Sequence, residues 1–245
     1  MKKITSILYY LFFFFSSFIF FPFAVITWIL TLYDYKNFFL LHLYTQLWES
    51  FLFSINPNWK ITVEGKNKIN NSEPVVFVSN HQSEFDIIVV SKLYARFKWV
   101  SKAEVFKTPI IGWNMRMNRY IELKRGDRKS ILQMIKDCIS ALKNNNSVFI
   151  FPEGTRSKTG VLKSFSSGAF VIAKRAKVDI QPIAISGTKD IMVKGSWVLN
   201  FKANVTLKVL DKIPYETFKD MESSDIAKMV REQIAAEVKE HQFKQ

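Results

Sequence analysis

The first sixty residues form an almost unbroken hydrophobic pattern. No charged residue lies between Ile4 and Tyr33, and phenylalanine occupies every position of 12–15. A continuous helix over this stretch would be about 45 Å long at 1.5 Å per residue, whereas the hydrocarbon core of a bilayer is about 30 Å thick. The pattern predicts a membrane-associated helix longer than one upright span requires, with Pro22 as a position where it can kink or turn.

A second apolar pattern follows at helical spacing over residues 40–55. Its large apolar side chains recur every three or four positions, and a polar set occupies the opposite side: His42, Thr45, Gln46 and Glu49. This pattern predicts an amphipathic helix. Such a helix can lie at a membrane interface or pack on the first segment, or it can pack on the next domain as an ordinary core helix.

The charges around the apolar segment favour the cytoplasm for both of its ends. Two lysines precede it and a strongly basic chain follows residue 36. Either residues 4–33 dip into the bilayer and turn back near Pro22, or the first helix spans and residues 37–55 return. Two passes of about 14 residues are too short to span, so we favour the dip. A cleaved signal peptide is disfavoured because its apolar core is usually only about 7–15 residues.

Beyond residue 60 the chain alternates between short apolar runs and longer helical periodicities. The predicted strands are Val75–Val78, Lys98–Val100, Ile121–Leu123, Ser147–Phe151, Ile180–Ile185 and Val205–Val209. The predicted helices run from about Asp86 to Tyr94, Arg128 to Leu142, Gly168 to Lys177 and Asp225 to Lys239. This alternation predicts an α/β fold with a mixed, largely parallel sheet flanked by helices. We therefore divide the chain into a helical membrane anchor, 1–60, and a second domain, 61–245.

Composition narrows the function classes. The 245 residues carry a formal charge of +14, of which the six charged residues of 1–60 contribute +2 and the rest +12. That excess suits nucleic acid, anionic lipid or a phosphorylated substrate, but no nucleic-acid-binding signature is present. The single Cys138 excludes an internal disulfide and a Cys-based zinc finger, and only three histidines make a His-rich metal site improbable.

Two polar motifs follow two of the predicted strands directly. Asn80–Asp86 follows Val75–Val78, and Phe151–Arg156 follows Ser147–Ile150. Ligands of α/β proteins bind at the carboxyl ends of the strands. We therefore expect the two motifs, about 70 residues apart in sequence, to meet at one site.

His81 and Asp86 have the residue types of a general base and the carboxylate that orients it. A partner on one ring nitrogen fixes the tautomer of a histidine and leaves the other nitrogen to accept a proton. The alternative is that His81 has no catalytic role and only caps a helix or fills a polar loop. Ser83 is a conceivable nucleophile, although it lacks the glycine-flanked elbow that exposes one.

The second motif combines groups that bind phosphate. Glycine at position 154 leaves backbone N–H groups accessible, Thr155 supplies a hydroxyl and Arg156 supplies a bidentate cation. Most of the 35 basic residues belong to a solvated surface, but we expect Arg156 and Arg125 to contact a phosphate.

Taken together, these residues resemble the bacterial 1-acylglycerol-3-phosphate (lysophosphatidic acid) acyltransferases of the glycerolipid acyltransferase superfamily. Four blocks match in order: Asn80, His81, Ser83 and Asp86; Lys102 to Arg125; Phe151 to Ser157; and Gln181 to Thr188. Gln82 agrees with the lysophosphatidate branch. The chain departs from the usual family pattern at Arg119, Lys124 and Ser166.

The resemblance implies transfer of a fatty acyl group to the 2-hydroxyl of 1-acylglycerol 3-phosphate, which yields phosphatidic acid. It implies a catalytic role for His81 and Asp86, and binding of the acceptor phosphate by six further residues: Lys102, Arg125, Glu153, Gly154, Thr155 and Arg156. No metal and no cofactor are implied beyond acyl-CoA or acyl carrier protein as co-substrate. The expected location is the cytoplasmic face of the inner (cell) membrane, against an anionic lipid surface.

Two other functions remain open at this point. A related acyltransferase could use glycerol 3-phosphate or another lysolipid as acceptor. A membrane protein of a different class could bind anionic lipid without catalysis.

Overall fold

The computed structural model describes residues 1–157 and 161–238. Its strands are β1 (Trp59–Glu64), β2 (Val76–Ser79), β3 (Phe97–Lys102), β4 (Ile121–Leu123), β5 (Ser147–Ile150), β6 (Ile180–Ser186) and β7 (Ala203–Val209). Its helices are α1 (Lys2–Leu30), α2 (Phe39–Ser54), α3 (Phe85–Val90), α4 (Ile111–Met117), α5 (Arg128–Lys143), α6 (Gly168–Ala176), α7 (Thr188–Ile191), α8 (Tyr215–Phe218) and α9 (Ser223–Glu237). Short 3₁₀ turns connect several of them.

The seven strands form one mixed sheet in the order β1-β7-β6-β2-β5-β3-β4. The five strands from β6 to β4 run parallel to one another, β7 pairs antiparallel with β6, and β1 is parallel to β7. The predicted fold class is therefore confirmed, including the alternation of strands and helices. The carboxyl ends of β2, β5, β3 and β4 lie at the same edge of the sheet, where parallel α/β folds bind their ligands.

Apolar cores cover both faces of the sheet. Side chains alternate along a strand, so Phe77 joins the core shared with α3 and the first residues of α1, whereas Val76 and Val78 join the core beneath α5, α6 and α9. Both faces of the central strands are thus buried, which explains why β2 reads as an uninterrupted apolar run.

Helix α1 is continuous from Lys2 to Leu30 and passes through Pro22. The turn near Pro22 that the favoured dip required is therefore wrong. Proline removes one backbone hydrogen bond, but the packed stripe continues on both sides of it, with Tyr9, Phe20 and Ala24 all buried. Phe20 stacks on Tyr44 of α2 with ring centroids 4.5 Å apart, so α1 packs against the rest of the protein on both sides of Pro22.

Helix α2 buries its polar side together with Leu41 and Phe53, and it exposes other apolar residues. His42, Thr45 and Gln46 are each about 2% exposed or less, whereas Leu47 and Phe51 are 50% and 54% exposed. Some of the buried polar groups form internal hydrogen bonds: Gln46 donates through Nε2 to the Ala95 carbonyl, whereas its Oε1 has no hydrogen-bond partner among the described residues. Helix α2 therefore packs on the domain, as the core-helix alternative expects, and its exposed apolar residues are also suited to a lipid environment.

The predicted strands and helices all occur within a few residues of their expected bounds. The helix predicted from Asp86 is shorter, because α3 ends at Val90 and a 3₁₀ turn continues to Leu93. The last helix ends at Glu237, and the predicted end at Lys239 lies outside the described residues. The sequence patterns did not predict β1 or α4.

Candidate active site

The loop between β2 and α3 places His81 and Asp86 together at the carboxyl edge of the sheet. Strand β2 ends at Ser79, and the next residue, Asn80, fastens the loop to β6. Its side-chain amide donates to the Ile185 carbonyl and accepts from the Ile185 N–H, both at 2.8 Å. This reciprocal pair fixes the start of the loop before His81 leaves the sheet.

The carboxylate of Asp86 is fully buried and accepts four hydrogen bonds. Its Oδ2 atom lies 2.8 Å from His81 Nδ1 and accepts from the backbone N–H groups of Gln82 and Ser83 at 2.6 and 3.0 Å. The other oxygen, Oδ1, accepts from the hydroxyl of Thr188. A buried carboxylate has only acceptor sites, and these four donors fix its orientation toward the imidazole.

The imidazole of His81 is oriented by two neighbours. Nδ1 faces Asp86, and the ring stacks on Phe151 with centroids 4.2 Å apart and an interplanar angle of 16°. Phe151 in turn stacks on Trp99. Nδ1 therefore carries the proton, and Nε2, which makes no hydrogen bond to any described residue, has an available lone pair. The side chain of His81 is 15% exposed, so a substrate can reach it.

Ser83 is not placed as a nucleophile. Its side chain is fully buried, and its hydroxyl donates to the Met192 carbonyl at 3.0 Å. It connects the His81 loop to the segment that follows β6.

Glu153 joins the two motifs. Its carboxylate accepts from the backbone N–H of His81 at 2.8 Å through Oε1 and from that of Lys163 at 3.2 Å through Oε2. Burial raises the pKa of the Glu153 carboxyl, although the two accepted hydrogen bonds act in the opposite direction. Both oxygens serve the protein itself, so Glu153 contributes to the shape of the site. Its predicted contact with a phosphate stays a prediction.

The turn after β5 carries the predicted phosphate-binding groups. Gly154 adopts a positive φ of 66°, and apart from its chain neighbours no described residue has an atom within 4 Å of the place a Cβ would take, so the described part of the chain leaves the backbone open to a ligand here. The guanidinium of Arg156 forms an ion pair with Glu84, with 3.0 Å between Nη2 and Oε1. Thr155 Oγ1 accepts from the ammonium of Lys194 at 3.0 Å. Positive charge and accessible backbone thus lie beside His81.

Lys102 and Arg125 lie at the same edge but farther along it. Lys102 ends β3, next to β5, and Arg125 follows β4, the outermost strand. The strand that carries Arg125 is three strand spacings, about 14 Å, from the strand that leads to His81. Both side chains are exposed. Their contribution to phosphate binding stays a prediction.

The sequence profile of the Acyltransferase family matches residues 60–186, which include both motifs and the sheet from β1 to β6. The chain belongs to this acyltransferase family. The match ends before α7, so Thr188 and the last strand lie beyond it.

Relatives of this acyltransferase carry names that specify an acceptor. It is 46% identical over 156 residues to the chloroplastic 1-acyl-sn-glycerol-3-phosphate acyltransferase LPAT1 of Arabidopsis thaliana, a match that covers 63% of this chain and 43% of that protein. A 1-acyl-sn-glycerol-3-phosphate acyltransferase of Helicobacter pylori is 35% identical over 112 residues, 45% of this chain and 47% of that protein. The chain thus spans less than half the length of these two relatives.

A solved structure matches the whole chain. The crystal structure of the 1-acyl-sn-glycerophosphate (LPA) acyltransferase PlsC from Thermotoga maritima superimposes with a TM-score of 0.80 at 26% identity, covering 100% of both chains. The likeness therefore includes the N-terminal helices as well as the acyltransferase domain.

The acyltransferase site also contains residues whose individual roles could not be inferred from the sequence. Asn80 and Thr188 belong to the matched blocks, but only the fold shows that one fixes the His81 loop and the other holds Asp86. Lys194 lies beyond the last matched block. Its one sequence signal is the Lys-Gly pair in a polar connection after a strand, which is too common to single it out.

Proposed function

We propose that this acyltransferase moves a fatty acyl group from a thioester to the 2-hydroxyl of 1-acylglycerol 3-phosphate and so produces phosphatidic acid. One observation carries the proposal. The His81–Asp86 pair leaves Nε2 available beside the open turn that contains Gly154 and Arg156. The names of the relatives support the choice of acceptor.

His81 acts as the general base. Nε2 takes the proton of the acceptor hydroxyl while the oxygen attacks the carbonyl carbon of the thioester, and a C–O bond forms. The tetrahedral intermediate then collapses with cleavage of the C–S bond. The departing thiolate receives the proton from the His81 imidazolium, so the products are the ester and the free thiol. Asp86 stabilises the imidazolium between the two steps.

The stacking of His81 on Phe151 also favours the protonation of His81 during the reaction. The face of Phe151 lies against the imidazole, and an aromatic face attracts a cation. The ring therefore gains a favourable contact when His81 is protonated. It also prevents the imidazole from rotating away from Asp86.

Arg156 supplies the main cation for the acceptor phosphate. In this arrangement its guanidinium pairs with Glu84, whose side chain is 62% exposed, so a phosphate with two negative charges can displace the single carboxylate. Thr155 and the backbone of Gly154 offer additional donors. By resemblance, Lys102 and Arg125 approach the same headgroup.

The proposed chemistry uses acyl-CoA or acyl carrier protein as donor and no metal. A thioester carbonyl is already reactive, so the required assistance is a base for the hydroxyl and donors for the developing oxyanion. No metal ion has to activate the nucleophile, because His81 removes its proton.

The N-terminal helices hold the site at the lipid surface. Helix α1 has a mean hydropathy of 2.1 in its most apolar window and could anchor to a membrane. Because its buried stripe lies against the protein along most of its length, we infer that α1 lies along the bilayer with its outer face in lipid. The basic remainder of the chain suits the anionic cytoplasmic face of the cell membrane.

The test is an assay of the purified full-length protein in mixed micelles. Donors are acyl-CoA and acyl carrier protein thioesters, and acceptors are lysophosphatidate, glycerol 3-phosphate and uncharged or zwitterionic lysolipids. We expect phosphatidic acid from lysophosphatidate as the main product. His81→Ala is expected to abolish turnover, and Asp86→Asn to lower kcat by about 10³–10⁴-fold, both without loss of membrane binding.

Three results would contradict the proposal. Preference for another acceptor would identify a different acyltransferase. Lipid binding without product would identify a non-catalytic lipid-binding protein. Unchanged turnover in the His81→Ala protein would remove the general base from the mechanism.

A further inference from the structure

The connection between β6 and β7 brings a lysine to the turn after β5. Lys194 lies in this connection, 38 residues after Arg156 in the chain. Its ammonium donates to Thr155 Oγ1 at 3.0 Å and to the backbone carbonyl of Arg156 at 2.9 Å. Both contacts are with residues of the turn to which the proposed function assigns the acceptor phosphate.

A second ammonium lies against the same carbonyl. Lys163 Nζ is 3.4 Å from the Arg156 oxygen, and Lys194 Nζ is 2.9 Å from it. The two nitrogens are therefore no more than 6.3 Å apart. Like charges at that separation repel in a partly buried site. A phosphate with two negative charges, bound beside them, would offset this repulsion.

The contact also orients the hydroxyl of Thr155. An ammonium can only donate, so Oγ1 is the acceptor of the Lys194 bond and the hydroxyl proton points to another acceptor. The neighbouring backbone at Gly154 is open. A phosphate oxygen placed there would receive the Thr155 proton and lie within reach of the Lys194 ammonium.

The segment that carries Lys194 is fixed on both sides. Before it, the Met192 carbonyl accepts from Ser83 in the His81 loop at 3.0 Å. After it, the Leu199 N–H donates to Ser6 Oγ of α1 at 2.8 Å. The position of the ammonium is therefore coupled both to the general base and to the helix that contacts lipid.

We propose that Lys194 is an additional phosphate ligand of the acceptor site and a determinant of the preference for phosphorylated acceptors. The proposal rests on the proposed function, because it assigns Lys194 to the phosphate monoester of the acceptor. Lys194 and Arg156 approach that group from two separate connections of the sheet.

The test compares wild type with Lys194→Ala, Lys194→Arg and the control Lys202→Ala, all as full-length protein in mixed micelles. Lys202 is an exposed lysine of the same connection. We expect Lys194→Ala to raise the KM for lysophosphatidate at least about tenfold, the effect of losing one charge-assisted hydrogen bond. The KM of the thioester should stay the same. Lys194→Arg should recover most of the loss, and Lys202→Ala should behave as wild type.

A phosphate-free acceptor separates binding from a structural role. With 1-acylglycerol as acceptor, kcat/KM should be equal in wild type and Lys194→Ala. An equal loss with both acceptors would show that Lys194 only braces the turn, and an unchanged KM for lysophosphatidate would also overturn the proposal.

Binding without a donor separates failure of Lys194 from failure of the proposed function. Lysophosphatidate should bind wild type more tightly than Lys194→Ala, measured by the change in tryptophan fluorescence. If wild type shows this difference but does not turn lysophosphatidate over, the phosphate site stands and the proposed reaction is wrong. Equal affinities would overturn the role of Lys194 whatever the activity.

Discussion

Arg156, which we propose as the main cation for the acceptor phosphate, is held in position by an ion pair. Its guanidinium pairs with Glu84 at 3.0 Å, and Glu84 lies two residues before Asp86 in the loop of the general base. The ion pair therefore connects the two motifs across the mouth of the site. If Arg156 binds the acceptor phosphate as proposed, the phosphate has to compete with the Glu84 carboxylate for this cation.

This competition makes a prediction for Glu84→Gln. The amide cannot form the ion pair, so Arg156 is available to the phosphate, and exposed pairs of this kind contribute up to about 1 kcal/mol. We expect the KM for lysophosphatidate to fall by about two- to fivefold with kcat unchanged, in the micelle assay. Glu122→Gln on β4, an exposed carboxylate outside the site, is the control. A raised KM would show that Glu84 helps to bind the acceptor.

For individual residues, the sequence predicted only contacts between side chains that are close together in the chain. His81 and Asp86 are five residues apart, and their partnership could be inferred from residue type and the preceding strand. Thr188 holds the same carboxylate from 102 residues away. No local pattern reports such a contact, because it depends on how β6 lies beside β2.

The connection after β6 decides whether this second contact forms. Gly187 lies between the end of β6 and Thr188, with φ of 87°. A Cβ at this position would lie 2.1 Å from the carbonyl oxygen of Asn204 in β7. The strand pair β6–β7 and the hydroxyl on Asp86 therefore depend on the same close backbone approach.

Gly187→Ala should consequently impair both stability and activity. Backbone strain of this kind costs about 1–3 kcal/mol, and the contact with Asn204 adds to it, so the melting temperature should fall and kcat should fall with it. Gly126→Ala is the matched control, since Gly126 also has a positive φ, of 77°, but open space around it. A control variant that loses as much stability would show that strain alone, and not the close approach, explains the effect.

Most strands and helices were predictable from the sequence, whereas the order and pairing of the strands in the sheet were not. Strands such as Ser147–Ile150 are short apolar runs bounded by polar motifs, so periodicity identifies them. Strand β1 was missed although Pro57 marks a break after α2, because Lys60 and Glu64 leave it only a short alternating run with few apolar residues. The antiparallel pairing of β7 with β6 depends on the connection that returns from the α1 side, which leaves no periodic signal.

The orientation of helix α2 decides which of its sides faces the rest of the molecule. Its amphipathic pattern was recognised, but a pattern does not say which side faces the protein. In the structure, His42 faces the protein. Its Nδ1 lies 2.7 Å from the Tyr120 hydroxyl, and its Nε2 lies 3.1 Å from the Ala95 carbonyl. These bonds join α2 to the segments before β3 and β4 and hold its polar side inward.

The burial of His42 predicts a pH dependence of stability. Burial, and then the charge of Lys98, lower the pKa of His42 to about 3 from its ordinary value of 6.5. The unfolded chain therefore binds one more proton than the folded protein below pH 6.5, and stability falls as the pH falls through that window. The titration of His42 should remove about 2 kcal/mol between pH 8 and pH 5. Burial raises the pKa of Glu49, on the same helix, to about 7, which acts in the opposite direction over this window, so the contribution of His42 has to be measured as a difference between two proteins.

Chemical unfolding in micelles at pH 8, 6.5 and 5 measures this loss. His42→Gln keeps hydrogen-bonding groups but does not titrate, so on going from pH 8 to pH 5 the variant should gain about 2 kcal/mol of stability relative to wild type. Parallel pH profiles for the two proteins would show that other groups cause the acid sensitivity.

The outer surface of α1 gives a prediction for the whole molecule. Phe15 and Ile19 are 61% and 69% exposed, and they lie on the face opposite Phe20 and Ala24, which are buried. If this face lies in lipid, Phe15→Glu/Ile19→Glu removes about 2 kcal/mol of burial per side chain and should weaken binding to anionic vesicles at least a hundredfold. The fold should survive, because the buried stripe is unchanged.

Co-sedimentation with vesicles, together with a melting curve, tests this directly. Leu132→Glu is the matched control, because Leu132 is an equally apolar residue, 50% exposed, on α5 at the other face of the sheet. It should sediment with vesicles as wild type does. If the double variant still sediments, α1 does not hold the protein in lipid by this face. If Leu132→Glu is released as well, added negative charge alone explains the release. Selective release of the double variant would show that the packing of one helix against the domain decides which surface of this acyltransferase meets the membrane.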